Sequence, residues 1–386
     1  MEYAEDHFLF PLVTEPRSRW EKAGLSPRQE RSFNRVSTLL VALFVTGWLY
    51  TIFLAPRADL LPGRPPVARI AGALTRTPLS DDAPPEAAFL TDQMVQSFSR
   101  DFEREAAGAS GAVRVKVLKP GETLAVPGAP GGASVELQPS AGTGGGALAA
   151  NQPASAPGIW NVVLKMADAI RPATDVAVIT LVPLSAKQDG RIGSYRVGSW
   201  PFEQGGAPKP IYEPPPGLVK VTPENMNLWV SEHIQLKDFI TKGQNDVWPK
   251  YVAMQPRELD KVELTIQELE REGHPVKNIF VVSGFRTPIY NREGGDPTGR
   301  AALSRHMYGD AMDIAVDNDN DGFMDDLNGD GRVDVNDARV IGRAADRVEQ
   351  AHPELVGGIG IYTPTGAHHG FVHIDTRGYR ARWGAW

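Results

Sequence analysis

The sequence contains no cysteine. Disulfide scaffolds and thiolate chemistry are therefore excluded, and any metal site must use His, Asp, Glu or backbone oxygen. It also lacks a basic excess. The formal net charge is −7, which gives no footing for a nucleic-acid binder. The acidity is local: residues 317–337 hold eight Asp and one Arg, so the rest of the chain is formally neutral. A local acidic device is a different object from an acidic surface.

What is present is ample. The chain has 386 residues, 41% of them hydrophobic, enough to bury a core and to suit two modest domains plus extensions. The 39 glycines and 32 prolines require that part of the chain be linker.

One apolar run carries no charge: Val36–Leu54, "VSTLLVALFVTGWLYTIFL". Nineteen helical residues rise about 28 Å, the thickness of a bilayer hydrocarbon core. Trp48 and Tyr50 lie toward its outer end, where interfacial aromatics are favoured. Six Lys or Arg precede it in 16–35 and three follow in 55–74, which puts the N-terminus inside. The expectation is a cytoplasmic segment (1–35) and a single-pass anchor (36–56) in the inner, cytoplasmic membrane. The bulk from Arg57 on is then periplasmic. A cleaved signal peptide and a buried core helix are the competing readings; the long polar lead weighs against the former.

After the anchor, 57–109 reads as a spacer with a short amphipathic helix at Phe89–Phe102. Residues 110–205 read as a β-rich, sandwich-like domain of about seven short strands, with a flexible Gly/Pro/Ala-rich loop at 120–157. The Asp-Gly pair in "KQDGRIG" marks a hairpin. Residues 206–219 are a Pro-rich linker. The segment 220–386 mixes helices, at Pro256–Glu272 and Asp337–Gln350, with strands that include a buried "KNIFVVS". The fold class is therefore α+β, with a small antiparallel sheet and flanking helices.

Two of those strands carry ionisable groups. In "AMDIAV", Ala311, Asp313 and Ala315 share one face; in "FVHID", Phe371, His373 and Asp375 do. If the strands neighbour one another, Asp313 and His373 converge. His306 lies just upstream, where Gly309 lets the chain turn back. Two imidazoles and a carboxylate suit a catalytic Zn2+ site, which keeps three protein ligands and an open fourth position.

Ser304, His306, Gly309, Ala311 and Asp313 fill every specified position of a Ser-x-His-x-x-Gly-x-Ala-x-Asp signature. With "SGFRTPIYN" upstream, "GGIGIY" and the closing "HIDTRGYRARW", residues 220–386 resemble the periplasmic branch of the zinc D-alanyl-D-alanine peptidases. The resemblance implies that His306, Asp313 and His373 hold zinc. It implies that Arg286 grips a carboxylate or carbonyl oxygen of the substrate, a task that suits a planar guanidinium. Many relatives place a general base Glu three residues, or His two residues, before the last ligand. Here those positions are Gly370 and Phe371. His368 and His369 lie close by; His368 is the expected base, and Asp375 the residue that orients a ligand.

Between the two metal strands, Asp326, Asn328, Asp330, Arg332 (by its carbonyl), Asp334 and Asp337 stand at EF-hand ligand positions, with Gly331 at the sixth. The run resembles the calcium loop of dockerins. Asp317, Asp319, Asp321 and Asp325 begin a second, overlapping loop. Structural Ca2+ in 317–337 is the expectation, with Asp337 capping the following helix. The whole reads as a membrane-anchored zinc peptidase, either D,D-carboxypeptidase or murein endopeptidase, whose partners are peptidoglycan peptides. The alternative is a non-catalytic wall-binding module, or an assembly protein that binds an envelope partner.

Overall fold

The computed structural model describes Thr38 and residues 114–386, apart from 125–133, 150–151, 154–155, 166–169, 296, 298–299 and 366–367. The chain divides into two compact units, Met1–Gly72 and Ala73–Trp386; the elements below belong to the second. Apart from Thr38, the expected anchor at 36–56 and the spacer at 57–109 lie outside the described residues. Among the described residues no helix is long and apolar enough to cross a membrane.

The first five strands among the described residues are β1 (Arg114–Leu118), β2 (Ser134–Pro139), β3 (Leu148–Ala149), β4 (Gly158–Lys165) and β5 (Ile170–Thr180). They form one sheet in the order β1-β5-β4-β2-β3, with β1 parallel to β5 and the other pairs antiparallel. β2 falls inside the stretch expected to be a flexible loop. Its buried Val135 and Leu137 alternate with Ser134 and Glu136, and that period of two decides its state over the Gly-rich surroundings.

Among the described residues the expected sandwich is represented by this five-stranded sheet. The chain runs from β5 straight into β6 (Val182–Pro183), which pairs with β9 (Gly217–Val221) and so starts a separate three-stranded sheet with β10 (Lys250–Val252). Between them β7 (Arg191–Ile192) and β8 (Tyr195–Arg196) make a small ribbon. Asp189 and Gly190 both have positive φ, and Gln188 and Arg191 bridge across them. This is the two-residue hairpin turn that an Asp-Gly pair favours.

The third sheet carries the metal strands. β11 (Ile279–Ser283), β12 (Ala311–Val316), β13 (Gly358–Thr365), β14 (His368–Asp375) and β15 (Ala381–Gly384) lie in the order β11-β12-β14-β13-β15. All pairs are antiparallel except β13 with β15. β11, read as buried, is an edge strand with Phe280 40% exposed.

Helices cover one face of this sheet. α1 (Pro256–Arg271) buries Leu259, Val262, Ile266 and Leu269, the stripe that its spacing implies. It ends in a Schellman motif: His274 N–H bonds to Leu269 O, Gly273 N–H bonds to Glu270 O, and Gly273 has φ +89°. A short α2 (Pro288–Glu293) follows β11. α3 (Val335–Ala351) starts two residues before the expected position. Asp334, not Asp337, is its cap; Asp337 closes the capping box by accepting from Asp334 N at 2.7 Å. Ile359, Ile361, Val372 and Ile374 point into the core with α3, while the alternate residues of β13 and β14 turn to the opposite face. One hydrophobic cluster joins all three large sheets, from Val115 and Ile179 through Val219 to Ile314 and Ile374.

Candidate metal centre

Strand register brings two of the expected ligands together. Asp313 stands directly opposite His373 across the β12–β14 pair, and Ala311 opposite Asp375. His306 arrives from a 3₁₀ turn, Arg305–Tyr308, that ends at Gly309 with φ +72°. A Cβ at Gly309 would lie 2.4 Å from the Ala253 carbonyl carbon. Only glycine meets both demands, so Gly309 lets His306 fold back over β12.

The three side chains are buried and their ligand atoms converge. His306 Nε2 lies 3.1 Å from Asp313 Oδ1 and 3.1 Å from His373 Nδ1; His373 Nδ1 lies 2.8 Å from Asp313 Oδ1. Ligands 2.0–2.1 Å from a tetrahedral zinc lie about 3.3 Å apart, close to this spacing.

The outer hydrogen bonds fix the tautomers. His306 Nδ1–H donates to the Gly284 carbonyl at 2.6 Å, and a carbonyl only accepts. His373 Nε2–H donates to Asp375 Oδ2 at 3.0 Å. In the neutral rings the lone pairs of His306 Nε2 and His373 Nδ1 therefore face each other and a carboxylate oxygen. Three converging acceptors repel unless a cation stands among them, so the donor set fits a metal ion.

Burial and the neighbouring charges shift these groups in different directions. Burial holds the His306 pKa below the ordinary imidazole value, against the pull of Asp313. Burial also opposes charge on His373, but its hydrogen bonds to Asp313 and Asp375 outweigh burial and raise its pKa. Burial would raise Asp313, yet the charges and hydrogen bonds of the two imidazoles hold it well below the carboxylate range. Asp375 is likewise held low, by His373 and then Arg377, against burial. Its Oδ1 accepts from Gly358 N and Arg377 N, and Lys261 Nζ, fully buried, donates to its backbone carbonyl and to Glu349.

Arg286 also lies at the site. Its Nη2 donates to Asp313 Oδ2 at 2.6 Å and its Nε to Ser283 Oγ at 2.8 Å. His368 opens β14, three strand positions from Phe371, and its side chain lies outside what is described. Gly370, where many relatives keep a base, has φ +73°, and a Cβ there would meet Met324 Cε and Pro364 Cδ at 3.2 Å.

In the acidic insert the carboxylates fold inward onto backbone amides. Asp317 accepts from Asp321 N and Gly322 N; Asp326 accepts from Gly329, Asp330 and Gly331 N. Asp319, Asp321, Asn328, Asp330 and Asp334 each accept from the amide two residues on. Asp325 accepts from Asn318 N, and Asp337 from Leu327 N and Asn328 N. Asp317, Asp319 and Asp325 bring one oxygen each within 4.8 Å of one another.

The sequence reading missed two supports of the centre. The Gly284 carbonyl on His306 could not be foreseen, because main-chain acceptors leave no mark in the sequence. The Trp383 ring beside His373, with centroids 5.1 Å apart, did leave one: "GGIGIY" puts glycines at alternate positions, which clears one strand face for a large neighbour.

No curated protein and no solved structure matches the chain. A family match covers 241–328, which includes Arg286, His306 and Asp313 and ends before His373. Residues 241–328 thus match the family described as Peptidase M15, the zinc peptidase family that the sequence motifs resemble.

Proposed function

We propose that the chain is a zinc peptidase that cleaves peptide bonds in peptidoglycan stem peptides or their cross-links. The observation that carries this reading is the convergence of three acceptors on one point. His306 Nε2, Asp313 Oδ1 and His373 Nδ1 would hold the ion. Bound zinc supplies a Lewis acid that polarises a carbonyl and lowers the pKa of water to about 7.

The chain's own groups do the rest. Gly284 and Asp375 orient the imidazoles by taking their outer protons. Arg286 links the centre to the substrate: while Nη2 steadies Asp313, the planar guanidinium presents charge to a substrate carboxylate or carbonyl oxygen. His368, the expected base, opens the same strand five residues before His373, about 16 Å along an extended chain, so its backbone does not stand beside the last ligand.

Two finer elements belong to the same proposal. Val36–Leu54 anchors the chain in the inner membrane, with the peptidase unit in the periplasm. Calcium occupies the insert, supported by the clustered oxygens of Asp317, Asp319 and Asp325, which repel without a cation.

The test is mass spectrometry of defined monomeric and cross-linked muropeptides incubated with the zinc-loaded chain, beside a His373→Ala control. Loss of a terminal residue identifies a carboxypeptidase, and splitting of dimers an endopeptidase. Intact substrates would remove the enzyme reading. One observation favours a second reading, a wall-binding module without turnover. The position of the common base is a glycine whose side-chain space Met324 fills.

A further inference from the structure

We infer that Tyr362, Phe371 and Trp383 form a substrate subsite beside the metal centre, one that receives an uncharged stretch of peptide on the acyl side of the scissile bond. This rests on the peptidase reading and adds a direction to it.

The wall follows from register. Gly360 stands opposite His373 and Tyr362 opposite Phe371, so all four lie on the metal face of the sheet. Trp383 of β15 stands beside Gly360. A Cβ at Gly360 would lie 2.4 Å from the Trp383 ring, and one at Gly358 would lie 2.8 Å from it. The two glycines thus give the indole the space above β13, where it reaches His373. Its N–H donates to the Tyr362 hydroxyl at 2.9 Å. Tyr362 in turn stacks on Phe371, with centroids 4.5 Å apart and planes at 16°.

Exposure sets the direction of use. His373 and Phe371 are 7% and 8% exposed, whereas Tyr362 is 36% exposed. The phenol ring is therefore the part of the wall that a ligand meets on its way to the buried centre. Since the hydroxyl accepts the indole proton, its own proton is left for another acceptor, such as a peptide carbonyl.

Sheet order gives the polarity. Arg286 follows β11 at one edge, the ligands Asp313 and His373 lie on the central β12 and β14, and the wall lies on β14, β13 and β15. A peptide laid across the centre with its carboxylate toward Arg286 places its acyl half against the wall. Among the described residues the wall's own side chains carry no charge. Arg377 sits over the Trp383 ring at 5.2 Å, but its guanidinium is bound to the Asp375 carboxylate. Flat aromatic surface with one amphipathic tip suits aliphatic side chains and amide groups.

The experiment uses the full chain, zinc-loaded, with two synthetic peptides: Nα,Nε-diacetyl-L-Lys-D-Ala-D-Ala and its analogue with a free lysine ε-amine. The wild type is expected to prefer the diacetyl peptide. Tyr362→Ala is expected to raise KM for it about tenfold, the scale of an aromatic anchor, with kcat within about twofold and zinc content unchanged. Tyr362→Phe is expected to fall between them. An unchanged KM, or parallel loss of kcat and zinc, would make the wall mere support for His373 and overturn the subsite while the peptidase reading stands. If the wild type turns over neither peptide, calorimetric binding of the diacetyl peptide decides. About tenfold weaker binding by Tyr362→Ala supports the subsite without the enzyme, and equal or absent binding overturns it.

Discussion

Met324 of the acidic insert packs over the Cα of Gly370, its methyl carbon 3.2 Å from where a Cβ would begin. The insert is thereby tied to the strand that carries His373. Gly370 also has φ +73°, a conformation that costs other residues about 1–2 kcal/mol. Gly370→Ala is expected to lower Tm by a few degrees, and Gly370→Glu by more, without restoring a base. Calorimetry of the two variants checks this; a Gly370→Glu chain as stable as wild type would show that Met324 gives way freely.

Glu258 of α1 is fully buried, beside Lys261, Asp375, Asp310 and Thr376. Burial pushes its pKa well up; Lys261 opposes this, while Asp375 and Asp310 add to it. The native state then holds this proton at pH values where the unfolded chain has released it. Glu258 thus favours folding most below the unfolded carboxylate pKa, about 4.3, and that contribution is lost as pH rises toward the raised folded value. Glu258→Gln cannot ionise. Its melting temperature should exceed that of wild type at pH 8, with the difference shrinking toward pH 4. A constant difference across that range would assign the effect to packing.

Much of the centre was legible because strands repeat every two residues. Asp313 and His373 each sat among side chains that fixed their face, and antiparallel pairing put them opposite one another. Gly309 announced the turn that returns His306. Other parts were hidden for physical reasons. The glycines of "GGIGIY" mark a cleared strand face, but that Trp383 fills it depends on β15 pairing parallel to β13, a long-range choice. β2 was hidden because Gly and Ala around it dilute the alternation of Val135 and Leu137. α3 was expected to start at Asp337, because either Asp334 or Asp337 can cap a helix and only geometry chooses between them.

The calcium reading predicts a rise of several degrees in Tm on adding calcium to chelator-treated protein at low ionic strength. Asp326→Ala should abolish part of it, since this residue accepts from three backbone amides. Differential scanning fluorimetry, with magnesium as the control, reads the outcome. A flat response would leave a self-satisfied loop of Asx turns and remove calcium from the account.

Asp375 acts on the centre through His373, whose outer proton it takes. Replacing it with Asn keeps an acceptor of similar shape but removes the charge that raises the basicity of the ring. Zinc affinity is expected to fall about 10–100-fold, the usual loss when such a partner is removed. Competition with a chromophoric chelator measures it. Unchanged affinity would show that the Gly284 and Arg286 supports suffice.

Arg286 makes two bonds from one planar group, Nε to Ser283 and Nη2 to Asp313. A lysine places a single point charge at the end of a flexible stem and cannot keep both while facing substrate. Arg286→Lys retains the positive charge beside Asp313, so zinc should remain bound near wild-type content. The loss should then fall on substrate. kcat/KM is expected to drop about 10–100-fold for peptides with a free terminal carboxylate, by analogy with lost charge-assisted bonds worth about 1.5–3 kcal/mol. It should drop less for the corresponding amides, which lack the charge. Kinetics on an acid–amide pair separate the two roles. An equal loss on both peptides would assign Arg286 to holding Asp313, and an equal loss together with depleted zinc would make it part of the metal scaffold alone.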